Sequence, residues 1–242
     1  MRIYHTSSYE EMSTKAADVI ASQIILKPDS VVGLATGSSP IGTYQSLIEK
    51  YRANTLDFSD VSTFNLDEYV GLGQNHEQSY RFFMEENLFK EVNISQKKIN
   101  FLNGMATDTH AECMRYEDAI EAAGGIDLQL LGIGHNGHIA FNEPSTAFAR
   151  DTFKVELTPR TIKANTRFFA SESEVPRFAL TMGIRAIMSA RMIIVVVSGS
   201  DKAEALRDAI AGPITPQVPA SILQLHKNVV FVGDKQALSL LG

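Results

Sequence analysis

The chain has 242 residues, of which 44% are hydrophobic and 21% charged. That balance belongs to a globular protein large enough to bury a sizeable core, not to a disordered, collagen-like or membrane-embedded chain. Its 22 Lys and Arg against 28 Asp and Glu leave a formal net charge of −6, which argues against a general binder of nucleic acid or anionic membrane; any anionic ligand must be held by local cationic groups. The single cysteine, Cys113, excludes an internal disulfide and the paired cysteines of a structural zinc site. With no apolar leader after Met1 and no strongly apolar run longer than Met192–Val197, the sequence reads as cytoplasmic.

Apolar β-branched runs alternate with segments of helical period, the mark of an α/β fold with a mainly parallel sheet. In chain order the pattern predicts a helix over about 8–26, a buried strand at Val31–Ala35, a helix over 40–53 and a strand at Val61–Leu66. Helices over 78–90 and 108–123 follow, then a strand at Ile126–Leu131, a helix over 176–189, a strand at Met192–Val197, a helix over 201–211, a shorter one near 219–225 and a strand at Val229–Val232. No linker, repeat or low-complexity segment divides the chain, so residues 1–242 are expected to form one three-layer α/β/α domain of Rossmann-like type. The stretch from about 142 to 175 is polar and less regular, either a lid or a long excursion.

Ligands of such sheets bind beyond the carboxyl ends of the strands. After the first buried strand comes Thr36-Gly37-Ser38-Ser39-Pro40. Ser39 suits an N-cap and Pro40 a first helical residue, while Gly37, free backbone N–H groups and the hydroxyls can surround a phosphate at the helix N-terminus. A capped turn with no ligand is the other reading, and the missing Gly-Lys-Ser/Thr excludes a nucleotide P-loop. The second strand ends in Leu66-Asp67-Glu68-Tyr69. Strand alternation lets only one of these carboxylates face a pocket, where it can serve as a general base; a helix cap or surface pair explains them equally well.

The third strand leads into Gly132-Ile133-Gly134-His135-Asn136-Gly137-His138-Ile139-Ala140-Phe141-Asn142-Glu143-Pro144. Although this contains G-x-G-x-x-G, Pro144 leaves no room for the sustained helix that a dinucleotide fold requires. What remains is a glycine-rich backbone presenting Asn136, His138 and Glu143, with a histidine suited to proton transfer. His135 and His138 lack the further ligands of a metal site. The fourth strand ends in Ser198-Gly199-Ser200-Asp201-Lys202. A lysine in a first helical turn opposes the helix dipole, a conflict that a bound anion would remove and that a solvated lysine would also tolerate. Arg167, among Phe168 and Phe169, reads either as a phosphate clamp or as a surface ion pair.

Together, Leu66 to Tyr69, Gly132 to Pro144 and Ser198 to Lys202 closely resemble the glucosamine-6-phosphate deaminase family, in the same order and through nearly the whole chain. The glycine-histidine motif is the most specific part, because the related 6-phosphogluconolactonases share its first half and lack the Phe-Asn-Glu-Pro ending. The resemblance implies a cofactor-free, metal-free isomerisation and deamination of D-glucosamine 6-phosphate with water to D-fructose 6-phosphate and ammonia. It implies that Asp67 moves the proton from C2 to C1, that His138 assists ring opening at the ring oxygen, and that Glu143 orients and tunes His138. The phosphate would sit among Thr36, Gly37, Ser38, Arg167 and Lys202, with Gly132 and Gly134 as backbone contacts. An aspartate of ordinary acidity is a weak base toward carbon, so the strand-end glycines are expected to supply hydrogen-bond donors to the developing enol.

Two departures stand out. Some members, the large allosteric hexamers among them, have an aspartate where this chain has Asn136, so any relay to the histidine rests on Glu143. At the positions of the arginine and lysine with which those hexamers bind an activating N-acetylated sugar phosphate, this chain has Phe153 and Val155, and it stops at Gly242 without their C-terminal extension. A monomer rather than a hexamer is expected, without activation by N-acetylglucosamine 6-phosphate. A phosphosugar lactonase or isomerase of the same fold, and a sugar-phosphate sensor without chemistry, remain the alternatives; the latter normally adds a DNA-binding helix-turn-helix, for which the segment before Val31 is neither long nor basic enough.

Overall fold

The computed structural model describes residues 1–166, 169 and 171–241. Among them the elements run β1 (Arg2–Thr6), α1 (Tyr9–Leu26), β2 (Val31–Leu34), α2 (Ile41–Arg52), β3 (Ser62–Asn65), β4 (Asp67–Tyr69), α3 (Tyr80–Asn87) and β5 (Ile99–Asn100). The chain continues with α4 (Thr109–Ala122), β6 (Leu128–Gly132), β7 (Phe153–Glu156), α5 (Pro159–Asn165), β8 (Phe178–Thr181), α6 (Ile184–Met188), β9 (Met192–Val197), α7 (Ala203–Ala211) and β10 (Val229–Asp234). Seven strands form one parallel sheet in the order β1-β10-β9-β6-β2-β3-β5, and a three-stranded antiparallel sheet has the order β4-β8-β7.

This order explains the site. From β2 the chain winds outward to β3 and β5, then returns to the other flank of β2 and winds the opposite way through β6, β9 and β10. Right-handed crossovers therefore put α1, α2 and α3 on one face and α4, α6 and α7 on the other, in keeping with the packing of α1 on α2 and of α2 on α3. Where the winding reverses, between β2 and β6, the two connections leave in opposite directions and open a crevice at the carboxyl ends of the strands.

Because both faces of the large sheet are covered, its central strands are apolar on both sides. Leu128, Leu130 and Leu131 of β6, and Ile193 to Val197 of β9, are buried. Helix α1 turns Met12, Ala16, Ile20 and Ile24 toward this core at helical spacing, and its N-cap Ser8 accepts from the Glu11 N–H.

The structure departs from the sequence-based expectations at several points. The helix expected over 176–189 is strand β8 followed by the single short helix α6. Periodicity along one segment does not report that β4 and β7 flank β8 and supply its hydrogen bonds. The stretch 142–175 contains β7 and α5. Residues Arg2–Thr6, assigned no element, form an edge strand on β10. Finally, α2 begins at Ile41 with Pro40, not Ser39, at the N-cap and no side-chain cap bond. The first-turn donor of Gly42 is instead satisfied by Tyr9 Oη at 2.8 Å, which leaves the Ser39 hydroxyl unneeded there.

Candidate active site

The first wall of the crevice is the turn after β2. Gly37 has φ +92°, a conformation that side-chain-bearing residues rarely adopt. Two tyrosines pin this turn: Tyr44 Oη donates to Ala35 O at 2.5 Å and accepts from Ala35 N at 3.2 Å, and Tyr9 Oη donates to Ser38 O at 3.0 Å. Among the described residues, no acceptor is paired with the N–H groups of Gly37, Ser38 and Ser39. Opposite, Lys202 closes the 3-10 turn Ser200–Lys202 and occupies the N-cap of α7, and its Nζ donates to Ile133 O at 3.0 Å. Lys202 is thereby drawn over the crevice rather than into solvent along the helix. A backbone turn and an ammonium in this arrangement suit a phosphate.

Asp67 stands where the chain leaves the large sheet. Leu66 N still bonds Leu34 O at 3.1 Å, whereas Leu66 O accepts from Met182 N at 2.8 Å. Asp67 then pairs with Thr181 of the small sheet. Its carboxyl reaches the cavity yet is only 7% exposed. Burial, with the Glu68 charge beside it, raises its pKa from the ordinary carboxylate range to about 8. The carboxyl of ordinary acidity expected from sequence is therefore not what the fold contains. Glu68 points away and caps α3, accepting from the N–H groups of Tyr69, Tyr80 and Arg81 at 2.9 Å each. Its own burial outweighs those bonds and raises it to about 7.

The third wall is the motif after β6. Gly134 N donates to His138 O at 2.9 Å and Gly137 N to Gly134 O at 3.0 Å, folding the backbone into a tight loop. The Gly134 N–H is thus consumed and does not serve as the enol donor expected from the sequence. The role of this glycine is space: a Cβ there would lie 2.2 Å from the His138 ring. A second turn, bridged between Ile139 and Asn142, forces Ala140 to φ +52° and brings Glu143 back toward the histidine. Glu143 Oε2 accepts from Asn136 Nδ2 at 2.6 Å and lies 3.5 Å from His138 Nδ1. Asn136 Oδ1 in turn accepts from His138 N at 3.2 Å. Burial alone would raise Glu143, but His138, the Thr161 hydroxyl and Asn136 hold it at about 2.

These walls enclose a cavity of about 420 Å³, the size that takes a small metabolite. Thr36, Gly37, Ser38, Asp67, Gly132, Gly134, Asn136, His138 and Lys202 all line it, and Glu143 stands behind His138. Arg167 lies outside the described residues. Among the described residues no group of three His, Cys, Asp or Glu is arranged to hold a metal ion, and no helix is long and apolar enough to cross a membrane.

A match to the family described as glucosamine-6-phosphate isomerases/6-phosphogluconolactonase spans residues 6–232. The chain belongs to the glucosamine-6-phosphate isomerase/6-phosphogluconolactonase family. It is 53% identical over 242 residues to the glucosamine-6-phosphate deaminase of Clostridioides difficile (strain 630), covering all of this chain and 97% of that one. It is 52% identical over 241 residues to that of Thermoanaerobacter sp. (strain X514), covering 100% and 95%. A solved monomeric glucosamine-6-phosphate deaminase superposes with a TM-score of 0.97 at 44% identity, covering 99% of this chain and 100% of that one. The 6-phosphogluconolactonase of Thermotoga maritima shares the fold at a TM-score of 0.75 and 20% identity, over 96% and 99%.

Within this glucosamine-6-phosphate isomerase/6-phosphogluconolactonase family member, the cavity also has lining residues that sequence reasoning passed over. Thr161 comes from the first turn of α5, and an aromatic group of Tyr69, Tyr80, Phe141 and Phe169 forms the apolar side. Thr158-Pro159 was a readable helix start, but nothing in the sequence aimed that helix at Glu143.

Proposed function

We propose that the chain is a glucosamine-6-phosphate deaminase, converting D-glucosamine 6-phosphate and water to D-fructose 6-phosphate and ammonia in amino-sugar metabolism. The observation that carries this reading is one cavity bordered by a buried Asp67 carboxyl of raised pKa, a separate His138–Glu143 pair and an anion-binding turn faced by Lys202. Such a site can move two protons at different places on one anchored sugar phosphate. The relatives named deaminases over their full length support the same reading.

The phosphate is held by the Thr36–Ser38 turn and Lys202, with Arg167 as a further cation. His138 transfers the proton that opens the sugar ring, while Glu143, ionised across the neutral range, orients the imidazole. Asp67 takes the C2 proton and returns it to C1, leaving a 2-imino sugar that water hydrolyses to the ketose and ammonia. A base whose pKa lies near neutrality is well matched to this task, and the cationic nitrogen of the bound amino sugar favours ionised Asp67. In this reading residues 1–242 act as one catalytic unit with 142–175 as its lid. The protein is a cytoplasmic monomer, indifferent to N-acetylglucosamine 6-phosphate.

Incubation with glucosamine 6-phosphate, scoring ammonia and fructose 6-phosphate together, tests the reading. Equal yields of both are expected, and no product at high protein concentration would overturn it. Hydrolysis of 6-phosphogluconolactone without ammonia release would move the site to the lactonase branch, and tight binding without turnover would make it a sensor.

A further inference from the structure

Both oxygens of the Glu143 carboxylate are engaged, and by different parts of the chain. Asn136, on the local loop, donates to Oε2, and His138 Nδ1 lies 3.5 Å from the same oxygen. Oε1 is met at 2.5 Å by the hydroxyl of Thr161, eighteen residues onward and itself only 8% exposed. The Thr161 hydroxyl also lies 3.0 Å from Thr158 Oγ1, whose oxygen caps α5 by accepting from Thr161 N at 3.2 Å. An ionised carboxylate only accepts, so Thr161 must donate to Glu143 and take the Thr158 proton in return. The chain of bonds then has one direction, from Thr158 through Thr161 to Glu143.

We infer that Thr161 is a positioning residue for the reaction, holding Glu143 so that Oε2 stays aimed at His138 and making that aim depend on the seating of the first turn of α5. The inference rests on the assignment of His138 and Glu143 to ring opening. The physical basis is torsional. A Glu carboxylate rotates readily about its last bond, and one donor on one oxygen does not stop that rotation, whereas donors on both oxygens do. Losing the hydroxyl also leaves a buried carboxylate oxygen without a partner, a costly state that the side chain relieves by swinging away from the histidine. Thr161 acts on the pair and not on the phosphate, so its loss alters turnover rather than substrate capture.

The test compares Thr161→Val, which keeps the shape and removes the hydroxyl, with Thr161→Ser, which keeps the hydroxyl, and with Glu143→Gln as the reference. Deaminase kcat and KM are measured beside the inhibition constant of the open-chain alditol of the substrate, which binds without ring opening. Thr161→Val is expected to lower kcat roughly tenfold to a hundredfold, the range for losing a hydrogen bond to a charged group. KM and the alditol constant should stay within about twofold, and Thr161→Ser should recover most of kcat. If Thr161→Val does not fold, Thr161→Ala takes its place against the same serine control. Wild-type kcat in Thr161→Val beside an impaired Glu143→Gln would overturn this inference and leave the function intact, as would equal losses in the valine and serine variants. Wild-type kcat in Glu143→Gln would instead overturn the ring-opening assignment.

Discussion

Replacing Asp67 by asparagine keeps the shape of a side chain that is 7% exposed and removes the charge. The carboxyl is raised from 3.8 to about 8 by burial and by Glu68, a gap of about four pH units, and at 1.36 kcal/mol for each the ionised form is disfavoured by roughly 5–6 kcal/mol relative to water. The folded protein therefore holds this proton more tightly than the unfolded chain. The contribution of this one group to stability is fully present below about pH 4, where both states are protonated, and is lost as pH rises toward 8, where the folded carboxyl is finally forced to ionise. The amide of the variant has no such dependence, and Glu68 titrates in both proteins and largely cancels in the difference. Urea unfolding at pH 5 and pH 9 should show Asp67→Asn gaining on the wild type with pH, by several kcal/mol at most because the unfolded chain is not fully solvated. Turnover by Asp67→Asn should be lost while the substrate's alditol still binds, and wild-type kcat/KM should fall below about pH 8 as the base becomes protonated. Parallel stability curves at the two pH values, or turnover that survives the substitution, would refute the reasoning.

Gly134→Ala should displace the His138 ring, since its new Cβ would lie 2.2 Å from the imidazole; a loss of kcat of about a hundredfold in a folded protein is expected, and unchanged kcat would show that the close packing is dispensable. Lys202→Ala should raise KM about tenfold to a hundredfold with a smaller change in kcat, because a phosphate contact far from C2 contributes mostly uniform binding. A kcat loss at constant KM would assign Lys202 to aligning the reacting carbons. Rate curves should be hyperbolic with and without N-acetylglucosamine 6-phosphate, given Phe153 and Val155 on β7; a sigmoidal curve straightened by that compound would contradict this.

Much of the architecture was legible because its causes are local. Runs such as Met192–Val197 and Val229–Val232 need a sheet covered on both faces whatever their neighbours, and the turns after β2 and β6 follow from glycines at 37 and 137 that adopt positive φ. The small sheet was not legible. Its strands β4, β7 and β8 are three or four residues long, too short for a period to emerge, and β8 read as the start of a helix.

The sequence by itself determined the alternating α/β order, the polar strand ends and the local loop that carries Asn136, His138 and Glu143 close together in the chain. Tertiary structure alone decided what those groups can do. It buried Asp67 between two sheets and raised its pKa, turned Glu68 into a cap for α3, consumed the Gly134 N–H inside its own loop, and brought Thr161 against Glu143. Acidity, hydrogen-bond availability and aim depend on what surrounds a group in space, and in this fold those surroundings come from segments far apart in the chain.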